Sequence, residues 1–140
     1  MTYPLDAGAF LVDLPAVSGP QGCLVFVESG RHIPFMFKRM YYFRDMPAGQ
    51  VRGCHAHRTN DLVVMAPSGS FQVAVDDGRF RASHLLDRPD RGLFVPRMTW
   101  LEVADLSRGS VCLILASEFH EEGDQISDYD EFLRATTNGS

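Results

Sequence analysis

The stretch Phe71-Gln72-Val73-Ala74-Val75-Asp76-Asp77-Gly78 decides the fold class of this 140-residue chain. Large apolar residues alternate with polar or small ones over Phe71–Val75, which is the period of a half-buried β-strand. Asp77-Gly78 then predicts a tight turn, because glycine adopts a positive φ at little cost. A second run, Arg79–Leu86, follows the turn. The stretch therefore predicts a β-hairpin.

Similar short runs recur along the chain, with turn residues between them. Eight or more of them at this spacing predict an all-β sandwich, jelly roll or barrel. The predicted strands are Gly22–Glu28, Phe35–Phe43, Leu62–Ala66, Phe71–Val75, Arg79–Leu86, Gly92–Pro96, Thr99–Leu106 and Ser110–Ala116.

A helix is predicted near the C-terminus, over Ser127–Arg134. Ser127 is the predicted N-cap, and acidic residues follow in the first turn, where the helix dipole favours them. The segment Glu118–Glu131 carries seven acidic residues and no lysine or arginine, so we expect a solvated edge there.

The length fits one domain, which we place at residues 1–134, followed by a polar tail over 135–140. Hydrophobic residues make up 45% of the chain and charged residues 22%, as in ordinary globular proteins. The net charge of −5 argues against binding to nucleic-acid polymers. A phosphate-bearing ligand would therefore need a local group of arginines.

Targeting and cysteine usage point to the cytoplasm. Residues 1–10 lack the basic start and apolar run of a signal peptide. The three cysteines Cys23, Cys54 and Cys112 form no CxxC pair, which favours a reducing compartment. We expect each of them to be a small buried apolar residue.

The most informative local motif is Gly49-Gln50-Val51-Arg52-Gly53-Cys54-His55-Ala56-His57. Because side chains alternate along a strand, His55 and His57 should point to one face. Two adjacent imidazoles provide either half of a metal site or an acid–base pair near neutral pH. Asp61 shares their parity and would join them if the strand continued without a bulge.

This spacing resembles the first motif of the cupin superfamily, in which Gly-x5-His-x-His is followed by a carboxylate. The second cupin motif, of the form Pro-x-Gly-x-x-His, corresponds to Pro96-Arg97-Met98-Thr99-Trp100-Leu101. Leu101 occupies the position of the metal-binding histidine, so a metal site would be left with His55, His57 and Asp61.

Three segments together resemble a narrower group, the nucleotide-sugar 3,4-ketoisomerase (WxcM-like) family. They are Pro34–Tyr42, Arg52–Arg58 and Asp128–Leu133, and the resemblance extends from Gly22 to Leu133. It implies a cupin-type jelly roll (a double-stranded β-helix), in a homodimer with exchanged N-terminal strands. It also implies conversion of a dTDP-4-keto-6-deoxyhexose to its 3-keto isomer, with neither a metal nor another cofactor.

The resemblance also suggests which residues form the site. It implies that His55 and His57 are catalytic, and that the segment of Lys38, Arg39, Tyr41 and Tyr42 lies along the cleft. Chemically, a histidine is suited to removing the C3 proton, and Tyr41 or Arg52 can donate to the enediolate. Because Tyr41 and Tyr42 point oppositely on a strand, one should be in the core and the other in the pocket. The complete predicted set is His55, His57 and Tyr41 as catalytic residues, with Lys38, Arg39, Arg52, Arg58 and Trp100 as substrate-binding residues.

The chain departs from the family pattern at Leu101, Leu62 and Gln125, where the family commonly has histidine, glutamine and tyrosine. If both leucines face the ligand, they alter the pocket. Two alternatives therefore stay open beside the isomerase. One is a metal-dependent, dioxygenase-like cupin that uses His55, His57 and Asp61, and the other is a nucleotide-sugar-binding cupin with impaired turnover.

Overall fold

The computed structural model describes residues 2–4 and 8–138, which form thirteen β-strands and one C-terminal α-helix. The strands are β1 (Thr2–Pro4), β2 (Phe10–Asp13), β3 (Ala16–Gly19), β4 (Gly22–Val25), β5 (Arg39–Phe43), β6 (Arg52–His57), β7 (Leu62–Ser68), β8 (Phe71–Asp76), β9 (Arg81–Leu86), β10 (Arg91–Val95), β11 (Trp100–Ala104), β12 (Val111–Ala116) and β13 (Gln125–Ile126). The helix is α1 (Tyr129–Asn138).

Most of these strands form two antiparallel sheets. One has the order β1-β2-β10-β7-β12-β5 and the other the order β13-β6-β11-β8-β9, while β3 and β4 pair only with each other. Apolar side chains from both sheets, such as Val64, Val73 and Ile114, form one buried cluster between them. The fold is the predicted cupin-type jelly roll with a C-terminal helix.

Two further clusters pack on the outer faces of the sheets. The first lies on the six-stranded sheet and is built around Val63, Met65 and Leu115. The second joins Trp100 and Ala56 of the five-stranded sheet to Phe132 of α1. The helix is therefore fixed against the strand that carries the histidine pair.

The predicted hairpin is confirmed, because β8 and β9 pair from Phe71↔Leu86 to Asp76↔Arg81. Gly78 has a φ of 96° in the turn, a conformation that residues with a side chain rarely adopt. The Asp76 and Asp77 carboxylates accept hydrogen bonds from backbone N–H groups of the turn. Turn chemistry therefore fixes this hairpin locally.

Several predicted strands are longer than the real ones, and the difference is greatest between β4 and β5. β4 ends at Val25 and β5 begins at Arg39, so residues 26–38 form a loop. The loop is closed by hydrogen bonds from Gly30 N to Phe35 O and from Phe37 N to the Ser29 hydroxyl. Phe35 and Phe37 of the loop pack on the outer cluster of the six-stranded sheet, so burial of isolated side chains gave the segment its strand-like pattern.

The C-terminal helix differs from its prediction at both ends. It starts at Tyr129, and the Phe132 N–H donates to Asp128 O, whereas the Ser127 hydroxyl accepts from Gln125. The prediction of Ser127 as N-cap is therefore wrong. The helix also continues through Asn138, because Ala135 packs against the cluster that contains Trp100 and Phe132. The predicted polar tail is therefore largely helical. Residues 139 and 140 lie outside the described part of the chain.

Of the three free cysteines, Cys112 is buried as predicted, but Cys23 and Cys54 are exposed. By strand alternation Cys54 shares a face of β6 with Ala56, but the cluster under α1 includes only Ala56, so Cys54 remains exposed. The α1 helix is too short and polar to cross a membrane, and the described residues contain no other helix that could.

Candidate active site

A cavity of about 590 Å³ opens beside β5 and β6. Three of the chain's five histidines line it, together with two arginines and a tyrosine. No carboxylate side chain is among the described residues that line it. Although the chain has a net charge of −5, this basic lining makes the cavity suited to binding an anionic ligand. The polar lining residues are Arg39, Tyr41, Arg52, His55, His57, His120 and Gln125.

His55 and His57 lie side by side on β6, as the alternation of the strand predicts. Their ring centroids are 4.7 Å apart and their Nε2 atoms are 3.1 Å apart. Ala56, between them, faces the cluster under α1. Gly53 has a φ of 66°, next to a break in the register between β6 and β11. The strand is thus irregular before the pair but regular across it.

Asp124 is the carboxylate that completes the histidine pair. Its Oδ2 lies 2.6 Å from His57 Nδ1 and 3.0 Å from Asn60 Nδ2. Its Oδ1 accepts from both the backbone N–H and the hydroxyl of Thr59, at 2.7 and 2.6 Å. Burial raises the pKa of Asp124, but these hydrogen bonds more than offset the burial and hold its pKa well below its usual range. Asp124 is therefore a carboxylate at neutral pH.

The hydrogen bonds fix how protons are arranged on the pair. Because the Asp124 carboxylate only accepts, His57 carries a hydrogen on Nδ1. In the neutral ring, His57 Nε2 is then an acceptor, and His55 Nε2–H donates to it. Burial, followed by the neighbouring His57, lowers the pKa of His55 to about 4. His55 is therefore uncharged at neutral pH.

Tyr41 and Tyr42 do point to opposite faces of β5. Tyr41 is half-buried on the cavity wall, and burial raises the pKa of its phenol to about 12 despite the nearby Arg39. Tyr41 is therefore a hydrogen-bond donor rather than a base at neutral pH. Tyr42 is 56% exposed, so the prediction that the second tyrosine lies in the core is wrong.

Two of the predicted arginines reach the cavity. Arg39 stacks on Tyr41, with its guanidinium carbon 5.1 Å from the ring centroid, and Arg52 lies 4.8 Å from the centroid of Phe43. Stacking on aromatic rings orients a guanidinium while leaving its N–H groups available. Arg39 and Arg52 can therefore bind a phosphate group.

The other predicted substrate-binding residues do not line this cavity. Lys38 pairs with Glu118 and Arg58 with Glu131, both at the surface. Trp100 is buried under α1, where it contacts Tyr129 and Phe132, and its Nε1–H donates to Glu102. Strand β11 turns Trp100 toward the helix, since its neighbour Leu101 occupies the interior face.

Asp61 does not join the histidine pair, contrary to its predicted parity. Strand β6 ends at His57, and Asp61 binds the side chain and the backbone N–H of Arg97. The ligand set expected for a metal-dependent cupin is therefore not assembled. Within residues 2–4 and 8–138, no three His, Cys, Asp or Glu side chains come together as a metal site.

Leu62 and Leu101 are buried in the cluster between the sheets and do not line the main cavity. The hypothesis that both leucines face a ligand there is therefore wrong. Asp124 and His120 belong to the site but were not predicted, and Gln125 was predicted only as a departure from the family pattern. All three lie in the acidic segment Glu118–Glu131, which we expected to be a solvated edge.

Comparisons with known proteins match the chain to sugar 3,4-ketoisomerases. The family model described as FdtA (WxcM-like, C-terminal) matches residues 7–137. A TDP-4-oxo-6-deoxy-alpha-D-glucose-3,4-oxoisomerase of Aneurinibacillus thermoaerophilus is 36% identical over 124 residues, covering 89% of each protein. A 3,4-ketoisomerase from Helicobacter canadensis is 36% identical with a TM-score of 0.90, over 96% of this chain and 100% of that one. The sugar 3,4-ketoisomerase QdtA of Thermoanaerobacterium thermosaccharolyticum, solved with TDP, is 27% identical with a TM-score of 0.92, over 96% and 98%.

Proposed function

Because the chain belongs to the FdtA (WxcM-like, C-terminal) family, we propose that it is a nucleotide-sugar 3,4-ketoisomerase. Its substrate is a dTDP-4-keto-6-deoxyhexose, whose keto group moves from C4 to C3 through an enediol. One observation carries this proposal. The hydrogen-bonded series Asp124–His57–His55 ends in a cavity that holds two arginines and no described carboxylate.

The reaction begins with removal of the C3 proton by the histidine pair. The electron pair of the C3–H bond forms a C3=C4 double bond, and the carbonyl electrons move to O4. Since His55 Nε2–H donates to His57 Nε2, a proton taken up by His55 Nδ1 allows the Nε2 proton of His55 to pass to His57. The resulting imidazolium is stabilised by the Asp124 carboxylate on its other side.

The second half of the reaction returns a proton to carbon. O4 gains a proton and O3 loses one, the C3=O3 bond forms, and C4 takes its proton from the imidazolium. The charge on the enediolate oxygens needs a donor that stays protonated at neutral pH. Tyr41 is such a donor, because burial raises the pKa of its phenol to about 12.

Arg39 and Arg52 are the residues that we assign to the diphosphate. Both guanidiniums lie on the cavity wall and are oriented by aromatic rings. Arginine matches phosphate oxygens with a planar fork of N–H donors. Binding the diphosphate there would bring the attached sugar into the same cavity as His55 and His57.

The test is to incubate the protein with TDP-4-keto-6-deoxyglucose in heavy water and follow the sugar by NMR. A 3-keto product is the expected result, and it carries deuterium at C4 in the fraction of turnovers in which the imidazolium exchanges its proton with the solvent. If TDP binds but neither product nor hydrogen exchange at C3 appears, the chain is a binding protein and the isomerase assignment fails. His55→Asn and His57→Asn should each remove most of the turnover.

We also propose that the protein is a homodimer with exchanged N-terminal strands. The β3–β4 hairpin carries the exposed Val17 and Leu24, and an apolar groove of about 570 Å³, lined by Phe37 and Leu113 among others, lies alongside β4. Covering these side chains in a second copy would remove them from water. Light scattering should give a mass near twice 15.6 kDa, and Leu24→Asp should lower it, whereas a monomeric parent protein would contradict the proposal.

A cytoplasmic location fits this function. Cys23 and Cys54 are exposed and free, and unpaired surface thiols are typical of a reducing compartment.

A further inference from the structure

The cavity wall carries a third histidine, His120, which takes no part in the proton transfer by His55 and His57. It lies in the connection between β12 and β13, and it lines the same cavity as His55 and His57. Its Nδ1 is 3.1 Å from a terminal nitrogen of Arg39. An imidazole that contacts a cavity arginine and reaches the same space as the base is placed to touch the ligand.

The connection that carries His120 is held at both ends by one buried side chain, Asn60. The Asn60 Oδ1 accepts from the Glu118 N–H at 2.9 Å, and its Nδ2 donates to Asp124 Oδ2 at 3.0 Å. Asn60 is 1% exposed. The segment between residues 118 and 124 is therefore a short bridge whose ends are fixed to the same framework as the histidine pair.

The contact with Arg39 determines which nitrogen of His120 carries hydrogen. A guanidinium has only donors, so His120 Nδ1 accepts from it and the ring hydrogen is on Nε2. Arg39 itself is held by stacking on Tyr41, and its Nε is buried with no hydrogen-bond partner in the described part of the chain. The pair therefore presents donors, and no acceptor, to a ligand.

We propose that His120 donates through Nε2–H to an anionic oxygen of the bound nucleotide sugar, as one half of a donor pair with Arg39. This inference rests on the proposed function. The anionic oxygen has two possible sources in that substrate, the diphosphate and the enediolate that forms during isomerisation. In either case the hydrogen bond is to a charged acceptor, which makes its loss measurable.

Two substitutions separate direct donation from mere support of Arg39. In His120→Gln the side-chain amide nitrogen can reach the position of Nε2, so the donor toward the cavity is retained. In His120→Asn the shorter amide can still accept from Arg39 but leaves the cavity donor missing. We expect His120→Asn to be impaired by tenfold or more and His120→Gln to be close to the parent protein.

The measurements are the Kd for TDP by calorimetry and the kcat with TDP-4-keto-6-deoxyglucose. If His120 contacts the diphosphate, His120→Asn raises the Kd for TDP. If it contacts the enediolate, the Kd for TDP stays unchanged and kcat falls. The inference is overturned if His120→Asn leaves both quantities unchanged, or if His120→Gln is impaired while His120→Asn is not.

A control distinguishes this inference from the proposed function. His84 lies on β9, away from the cavity, so His84→Asn removes an imidazole without touching the site. It should match the parent protein in both measurements. If the parent protein isomerises the sugar and His120→Asn has the same Kd and kcat as His84→Asn, only the role of His120 is refuted. A parent protein with no turnover would refute the proposed function first.

Discussion

Replacement of Asp124 by asparagine tests the central feature of the site, the carboxylate behind the histidine pair. In the parent protein this group accepts four hydrogen bonds, two on each oxygen. An asparagine can keep its oxygen toward the two Thr59 donors, but its amide nitrogen then faces His57 Nδ1 and Asn60 Nδ2. His57 can adapt by moving its hydrogen to Nε2, whereas Asn60 Nδ2 loses its acceptor.

The change therefore has two separate costs. A buried donor left without an acceptor, together with the loss of charge-assisted bonds, should lower the free energy of unfolding by about 3 kcal/mol. In the new tautomer, His57 Nε2 bears hydrogen and cannot accept a proton from substrate through His55. Loss of the general base should reduce kcat by roughly 10²–10⁴-fold.

The assay combines urea unfolding, kcat with TDP-4-keto-6-deoxyglucose, and the ¹⁵N shifts of the His57 ring. Asp76→Asn is the matched control, because Asp76 is also buried and accepts from Tyr129 and from the Gly78 N–H, but lies outside the cavity. It should lose comparable stability and keep its kcat. A folded Asp124→Asn protein with the parent kcat, or an equal loss of kcat in the control, would refute the tautomer argument.

Three further predictions concern single residues. Burial lowers the pKa of His55 to about 4, below its unfolded value of about 6.5, so the unfolded chain binds a proton more readily than the folded one. Lowering the pH from about 7.5 to about 5 should therefore reduce the free energy of unfolding by roughly 2 kcal/mol through this histidine. Urea titrations should show that His55→Asn is less sensitive to this pH change by that amount, and equal sensitivity would contradict the assigned burial. Trp100→Phe removes the hydrogen bond to Glu102 and should lower the free energy of unfolding by about 1 kcal/mol. It should leave the Kd for TDP unchanged, and a higher Kd would mean that Trp100 does take part in binding. Arg52→Gln should raise the Kd for TDP by tenfold or more, while Arg58→Gln should not, and calorimetry that gave the reverse order would mean that Arg58 meets the diphosphate.

The features that follow from the local backbone could be predicted from the sequence. The β8–β9 hairpin, the shared face of His55 and His57 and the opposite faces of Tyr41 and Tyr42 all depend on a period of two residues within one strand. The same rule was wrong for Asp61, because β6 ends at His57 and parity has no meaning beyond the end of a strand.

The features that depend on tertiary contact could not be predicted in this way. Asp124 meets His57 across 67 residues of sequence, and nothing in its local pattern distinguishes it from the other acidic residues around it. Trp100 illustrates the reverse error. An aromatic residue beside a motif suggests a binding role. Trp100 is instead covered by Tyr129 and Phe132 of α1, which lie 29 and 32 positions later in the sequence.

The position of Asp124 also reconciles two demands that the substrate makes on one cavity. A carboxylate on the cavity wall would stabilise a protonated histidine, but it would repel a diphosphate bound nearby. Asp124 instead binds the far nitrogen of His57 and uses its remaining hydrogen-bonding capacity on Thr59 and Asn60. Its charge is thereby compensated by donors behind the ring, while the His55 ring, which lines the cavity, remains available to the sugar. The isomerase can therefore keep a carboxylate-supported histidine pair in a cavity that is otherwise lined to receive an anion.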